Sequence, residues 1–186
     1  MSSSVKNDII LKESKAWIEK FVIGLNICPF AGPSFNENRI DYKIVETKEI
    51  NIVIESFLKL VSTMLNATKI SNSFLIIQYG QTFEEYLNLY YTCEDLLAES
   101  ETDQLFQLAS FHPKYQYEGL EYDDLANFRN RSPHAMIHLL RVEEVEKVIE
   151  QHKNTLEIPE INAEKLRRLG KDKMMEILKS ASKSYE

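Results

Sequence analysis

The chain has 186 residues and a formal net charge of −7, with 44% hydrophobic and 27% charged residues. That length suits one domain spanning 1–186 with a core of its own. The acidic balance argues against nonspecific nucleic-acid binding, and no apolar run approaches the roughly eighteen residues that a membrane-spanning helix needs.

The first apolar stripe is Ile10, Trp17, Ile18, Phe21, Val22, Leu25, which is helical spacing. Residues 1–8 before it are expected to be flexible. Pro29 restricts Cys28 away from the α region, so the helix should end near Ile27. A breaker-rich loop is expected over Ala31–Asn36, then a strand over Ile40–Thr47. Ile50, Val53, Ile54, Phe57, Leu58, Val61 and Leu65 mark a second helix, and the run Ser73–Tyr79 reads as a buried strand. Thr82 with Glu85 makes a capping box for a third helix, striped by Phe83, Tyr86, Leu87, Tyr90, Cys93 and Leu97.

Leu105–Phe111 and Met136–Leu140 are the third and fourth strands. A helix follows over Val142–Lys153, where His152 would complement the helix dipole. A break is expected at Ile158–Pro159, and Asn162 caps a basic C-terminal helix over 162–186. That tail carries seven Lys/Arg against four Asp/Glu, a net +3 that leaves −10 for the rest. The order is therefore α-β-α-β-α-β-loop-β-α-α. It predicts a single sheet of about four strands packed with helices, α/β or α+β according to the direction of the fourth strand.

The N-terminus lacks a basic region followed by a long apolar stretch, and there are only two cysteines, Cys28 and Cys93. Both features predict a cytoplasmic protein without a disulfide scaffold.

Chemistry concentrates between Phe106 and Arg141. Three of the four histidines fall there (His112, His134, His138), with Arg129, Arg131 and Arg141. The polar segment inside it is too long for an ordinary turn, and its aromatics argue for a folded loop. The motifs GLNICPF (24–30), QLASFHPKYQYEG (107–119) and DDLANFRNRSPHAMIHLLR (123–141) resemble a bacterial family known as domain of unknown function 1415. The resemblance runs from about Trp17 to Glu150. It directs attention to Cys28, His112, Asn127, Asn130, Arg131, His138 and Arg141, and implies no activity. In that family a Tyr-Pro pair often stands where this chain has His134-Ala135.

Four chemistries compete for these residues. Arg131 and Arg141 would clamp an anionic small molecule bidentately, with Asn127 and Asn130 as positioning donors and His112 or His138 as acid/base groups. The competing structural reading pairs the arginines with loop carboxylates. Cys28, His112 and His138 would form a catalytic-type metal shell for a hydrolase. Alternatively Cys28 would be a thiol nucleophile with a histidine base and an asparagine orienter, although the end of a helix raises a thiol pKa. Finally, the basic helix over 162–186 would bind a protein partner. An enzyme or ligand-binding protein for an anionic molecule is the leading expectation. The cofactor, if any, is not specified by the sequence.

Overall fold

The computed structural model describes residues 3–29, 31–47, 49–78, 82–151 and 157–185. The first stripe forms helix α1 (Ser3–Trp17), which continues as a π-helical segment, Ile18–Ile23. Its end is written in the GLN of the first motif. Gly24 lies so close to the Lys20 carbonyl that a Cβ there would clash, and Asn26 takes the left-handed conformation (φ 48°) that asparagine tolerates. Ala31–Asn36, expected as a loop, is a short helix, α2. Pro33 falls within its first turn, where a missing N–H costs nothing.

Strand β1 (Ile40–Val45) leads through α3 (Ile50–Asn66) to β2 (Asn72–Ile77), and α4 (Phe83–Glu99) leads to β3 (Phe106–Phe111). The capping box of α4 is present, with Thr82 and Glu85 exchanging bonds. On α3 the buried side is Val53, Phe57, Leu60, Val61 and Met64, whereas Ile50, Leu58 and Leu65 are exposed. The stripe is rotated from the expected one because Leu60 and Met64 face the sheet.

The long connection contains a 3₁₀ turn, Leu125–Arg129, capped by the Asp124 carboxylate accepting from Ala126 N at 2.8 Å. Strand β4 (Ala135–Arg141) and helix α5 (Val142–Gln151) follow. The tail is two helices, α6 (Ile158–Leu169) and α7 (Lys171–Ala181), separated by Gly170 at φ 78°. Pro159 opens α6 instead of breaking the chain, and Asn162 is a buried interior residue of α6 instead of a cap. His152 lies outside the described residues.

The described strands form one sheet in the order β1-β2-β4-β3. β1 and β2 are parallel, while β4 runs antiparallel to both β2 and β3. This resolves the direction of the fourth strand and makes the fold α+β. β2 is buried along its whole length, so its alternate residues serve two cores. Leu75 and Ile77 join Ile137 and Leu139 beneath α3 and α4. Phe74 and Ile76 join Met136 on the other face, beneath α1, the π segment, α6 and α7. The second face is the one that carries the site. Among the described residues no helix is long and apolar enough to cross a membrane.

Candidate functional site

A cavity of about 50 Å³ lies on the second face of the sheet. Its polar wall is Trp17, Cys28, Asn72 and His138, with Phe74, Phe111 and aliphatic side chains completing it. Among the described residues no Lys, Arg, Asp or Glu lines it. At roughly 10–15 Å³ per water, such a volume admits about three to five small groups.

His138 and Asn72 are diagonal neighbours on one face of the β2–β4 pair, because Phe74 pairs with His138 and Asn72 with Leu140. The His138 ring stacks on Phe74 (centroids 3.9 Å apart, planes 7°) and lies 6.2 Å from Phe111. Its Nε2 is 2.8 Å from Asn72 Oδ1. The neighbouring bonds determine the tautomer. The Ser71 hydroxyl proton is directed at the Arg39 carbonyl (3.1 Å) and at Ser34 Oγ (2.9 Å), so Ser71 Oγ accepts from Asn72 Nδ2 at 2.9 Å. That turns the amide oxygen toward His138, and an oxygen that only accepts requires the proton on Nε2. Nδ1 is therefore an acceptor. Burial pushes the imidazole down to about 3, so the ring is neutral across the physiological range.

Trp17 lines the same wall. It is 1% exposed, and its indole Nε1 has no hydrogen-bond partner among the described residues. A buried N–H without an acceptor costs about 1–3 kcal/mol. The ring is held edge-on to Phe111 at 5.3 Å.

Cys28 reaches the wall from the loop after the π segment, and α6 anchors that loop. Lys165 Nζ donates to the Leu25 and Asn26 carbonyls at 2.9 and 2.8 Å, and Asn162 Nδ2 donates to the Ile27 carbonyl at 2.5 Å. Three consecutive carbonyls ahead of Cys28 are thus satisfied, one cation among their partners. The ammonium opposes the negative end of the helix, which was the electrostatic objection to a reactive thiol. The other cysteine, Cys93, is buried among α4 core residues, and burial pushes its thiol up to about 12.

The remaining expected site residues lie elsewhere. His112 is on the opposite face of the sheet, 5.1 Å from Tyr86 and 5.4 Å from Phe83 in α4, where its Nδ1 accepts from Lys114 N at 3.1 Å. The trio Cys28, His112 and His138 therefore does not converge. Among the described residues no group of three or more His, Cys, Asp or Glu is placed to hold a metal ion.

Arg131 binds the loop that contains it. Nε donates to the Tyr115 carbonyl at 2.8 Å and an Nη donates to the Tyr122 carbonyl at 2.5 Å, with Tyr122 and Phe128 stacked over the guanidinium. Arg141 caps α3 by donating to the carbonyls of Met64, Ala67 and Ile70. Arg131 precedes β4 and Arg141 ends it, and six strand rises of about 3.4 Å put the strand's two ends about 20 Å apart. The two arginines are not a clamp.

Both loop asparagines are also structural. Asn127 accepts from Tyr117 N at 3.0 Å and donates to the Glu121 and Tyr122 carbonyls. Asn130 donates to the Ser110 carbonyl at 2.8 Å and accepts from the Tyr117 hydroxyl at 2.5 Å. Arg131 thus pins the loop through carbonyls and rings instead of carboxylates, whereas Arg141 serves the end of α3. His134 pairs with Glu13, Nε2 to Oε2 at 3.0 Å.

Two residues of the cavity escaped the sequence reading. Asn72 precedes the apolar run that the sequence marks as a strand, and the structure buries it with its polar neighbours Ser71 and Ser73. Trp17 belongs to the first apolar stripe and is buried as the stripe predicts, and nothing in its spacing reveals the unpartnered nitrogen.

No curated protein and no solved structure matches the chain. A family model matches residues 9–176 of the 186, and the chain therefore belongs to the family described as Protein of unknown function (DUF1415).

Proposed function

We propose that this protein binds a compact, uncharged small molecule in the cavity beneath the sheet. The observation that carries the reading is the neutral imidazole of His138, its Nδ1 an acceptor, in a wall where no described residue carries a charge. A ligand with a donor for the imidazole would complete it. Charge decides the class. With no cation in the wall and a neutral imidazole, a buried anion would have nothing to offset its desolvation, which costs several kcal/mol.

The leading expectation from sequence therefore keeps its ligand but changes the ligand's charge, because the arginines are spent on loop and helix carbonyls. The interaction-protein reading has less support. Leu166, Met174 and Leu178 of the tail are fully buried, and Arg167 pairs with Asp124 at 2.8 Å. Among the described residues Cys28 and Cys93 form no disulfide, which suits a reducing compartment such as the cytoplasm.

Acetamide and acetate are nearly the same size and differ in charge, so they separate the readings. Trp17 is the sole tryptophan of the chain, which makes its fluorescence a reporter of this wall alone. Acetamide should perturb the emission saturably and acetate should not. Binding of acetate that is lost on Arg131→Lys would restore the anionic reading and overturn this one.

A further inference from the structure

Strand β1 is one edge of the described sheet. The Arg39 and Val45 carbonyls at its two ends accept from Ser71 N and Gln78 N, so the odd-numbered residues bond toward β2. Alternation along the strand therefore turns the backbone N–H and C=O of Ile40, Tyr42 and Ile44 outward. Among the described residues nothing bonds to these groups. The opposite edge is covered, because the Tyr90 hydroxyl and the Asn130 amide donate to the Leu108 and Ser110 carbonyls. An open row of this kind is a template for another strand.

The side chains say which strand. Ile40-Asp41-Tyr42-Lys43-Ile44 keeps its pattern when read backwards, with the two charges exchanged. We propose that two copies of this chain join through β1, antiparallel about a twofold axis at Tyr42, so that Asp41 of each copy faces Lys43 of the other.

In this register Tyr42 stands opposite Tyr42 and Ile40 opposite Ile44. These outward-facing residues are the ones that form hydrogen-bonded pairs. Asp41 and Lys43 fall in the intervening pairs, where side chains approach more closely and opposite charges stabilise the join. Sliding one copy to centre on Asp41 or on Lys43 sets like charges opposite one another, so the charges specify one register. Lys43 is exposed, Asp41 is half-buried, and among the described residues neither enters an ion pair. A lone lysine on an edge strand repels a second copy. The aspartate two residues earlier converts that repulsion into a match. On the site face Ile40, Tyr42 and Ile44 are only partly buried against the core, and the join sets each beside an apolar or aromatic residue of the other copy.

The test uses the full chain. Sedimentation across a concentration series should give a reversible dimer, and the amides of Ile40, Tyr42 and Ile44 should exchange more slowly as it forms. Asp41→Lys and Lys43→Asp should each weaken the dimer about tenfold, because each sets like charges opposite one another. Mixed in equal amounts, the two variants should form a heterodimer of the parent's strength, a rescue that damage to the fold cannot produce. Should either variant fail to fold, hydrogen exchange in the unmutated protein decides the interface. A monomer at every concentration overturns the proposal. So does a dimer in which those amides stay unprotected, or a mixture of folded variants that remains monomeric.

Discussion

His138 Nε2 donates to Asn72 Oδ1 across the β2–β4 pair at 2.8 Å, and this bond fixes the chemistry of the whole cavity. It selects the tautomer, turns Nδ1 into an acceptor and orients the ring against Phe74. The strand register that creates it is an outcome of β4 entering antiparallel between β2 and β3.

Acid should destabilise the protein through this ring. The folded imidazole is pushed from 6.5 to about 3, so the unfolded chain takes up the proton first. The stability is complete above about pH 6.5 and drains as pH falls toward 3, by about 5 kcal/mol over the window. His134, lowered by burial despite Glu13, contributes with the same sign. Urea denaturation at pH 7 and pH 4 measures the loss. His138→Phe should flatten the acid dependence, at a cost of about 1–3 kcal/mol at pH 7 from the stranded Asn72 oxygen.

The arginines should behave as structural residues. Arg141→Met leaves three carbonyls at the end of α3 without their charged donor, and about 3 kcal/mol of stability should disappear. Arg131→Lys loses the two-carbonyl fork and its stacking on Tyr122 and Phe128, with a loss of similar size. Acetamide should bind both folded variants as it binds the parent. Loss of binding at unchanged stability would return them to the site.

The two thiols should separate in alkylation. Iodoacetamide should modify Cys28 and spare Cys93, whose thiol is buried and pushed up to about 12. Modification of Cys28 should quench Trp17, since both line one cavity. Lys165→Met removes the ammonium bound to the Leu25 and Asn26 carbonyls and should slow the reaction. Equal rates at Cys28 and Cys93 would contradict the difference in their surroundings.

The C-terminal helices belong to the core of the site face. Leu178 is fully buried with Trp17, Phe21 and Met174, so Leu178→Ala should cost about 2–5 kcal/mol in urea denaturation. Truncation before Asn162 should unfold the protein, because it removes the donors to the Ile27, Leu25 and Asn26 carbonyls along with that core. A folded truncated chain would make the tail an appendage after all.

Much of the fold was legible in the chain. Local signals carried the capping box at Thr82 and the existence of the four described strands, because each depends on neighbours in sequence. Cys28 and His138, both singled out in the sequence, line one cavity. The failures share a cause. Arg131 and Arg141 looked like a clamp because guanidinium groups cluster there in an acidic chain, but a strand's length separates the two. His112 and His138 looked equivalent, yet strand parity and pairing send them to opposite faces. Asn72 could not be matched to His138 before the antiparallel register was known, and an unpartnered indole nitrogen is a property of three-dimensional surroundings alone.

Trp17 lines the cavity beside His138, and as the chain's one tryptophan it makes ligand binding there directly measurable. A ¹⁵N-labelled sample gives one indole cross-peak to follow. Titration with acetamide should move that peak downfield and saturate, with the shift weakened in His138→Phe. A peak that stays in place at every acetamide concentration would contradict the binding of an uncharged ligand and leave the cavity a packing defect.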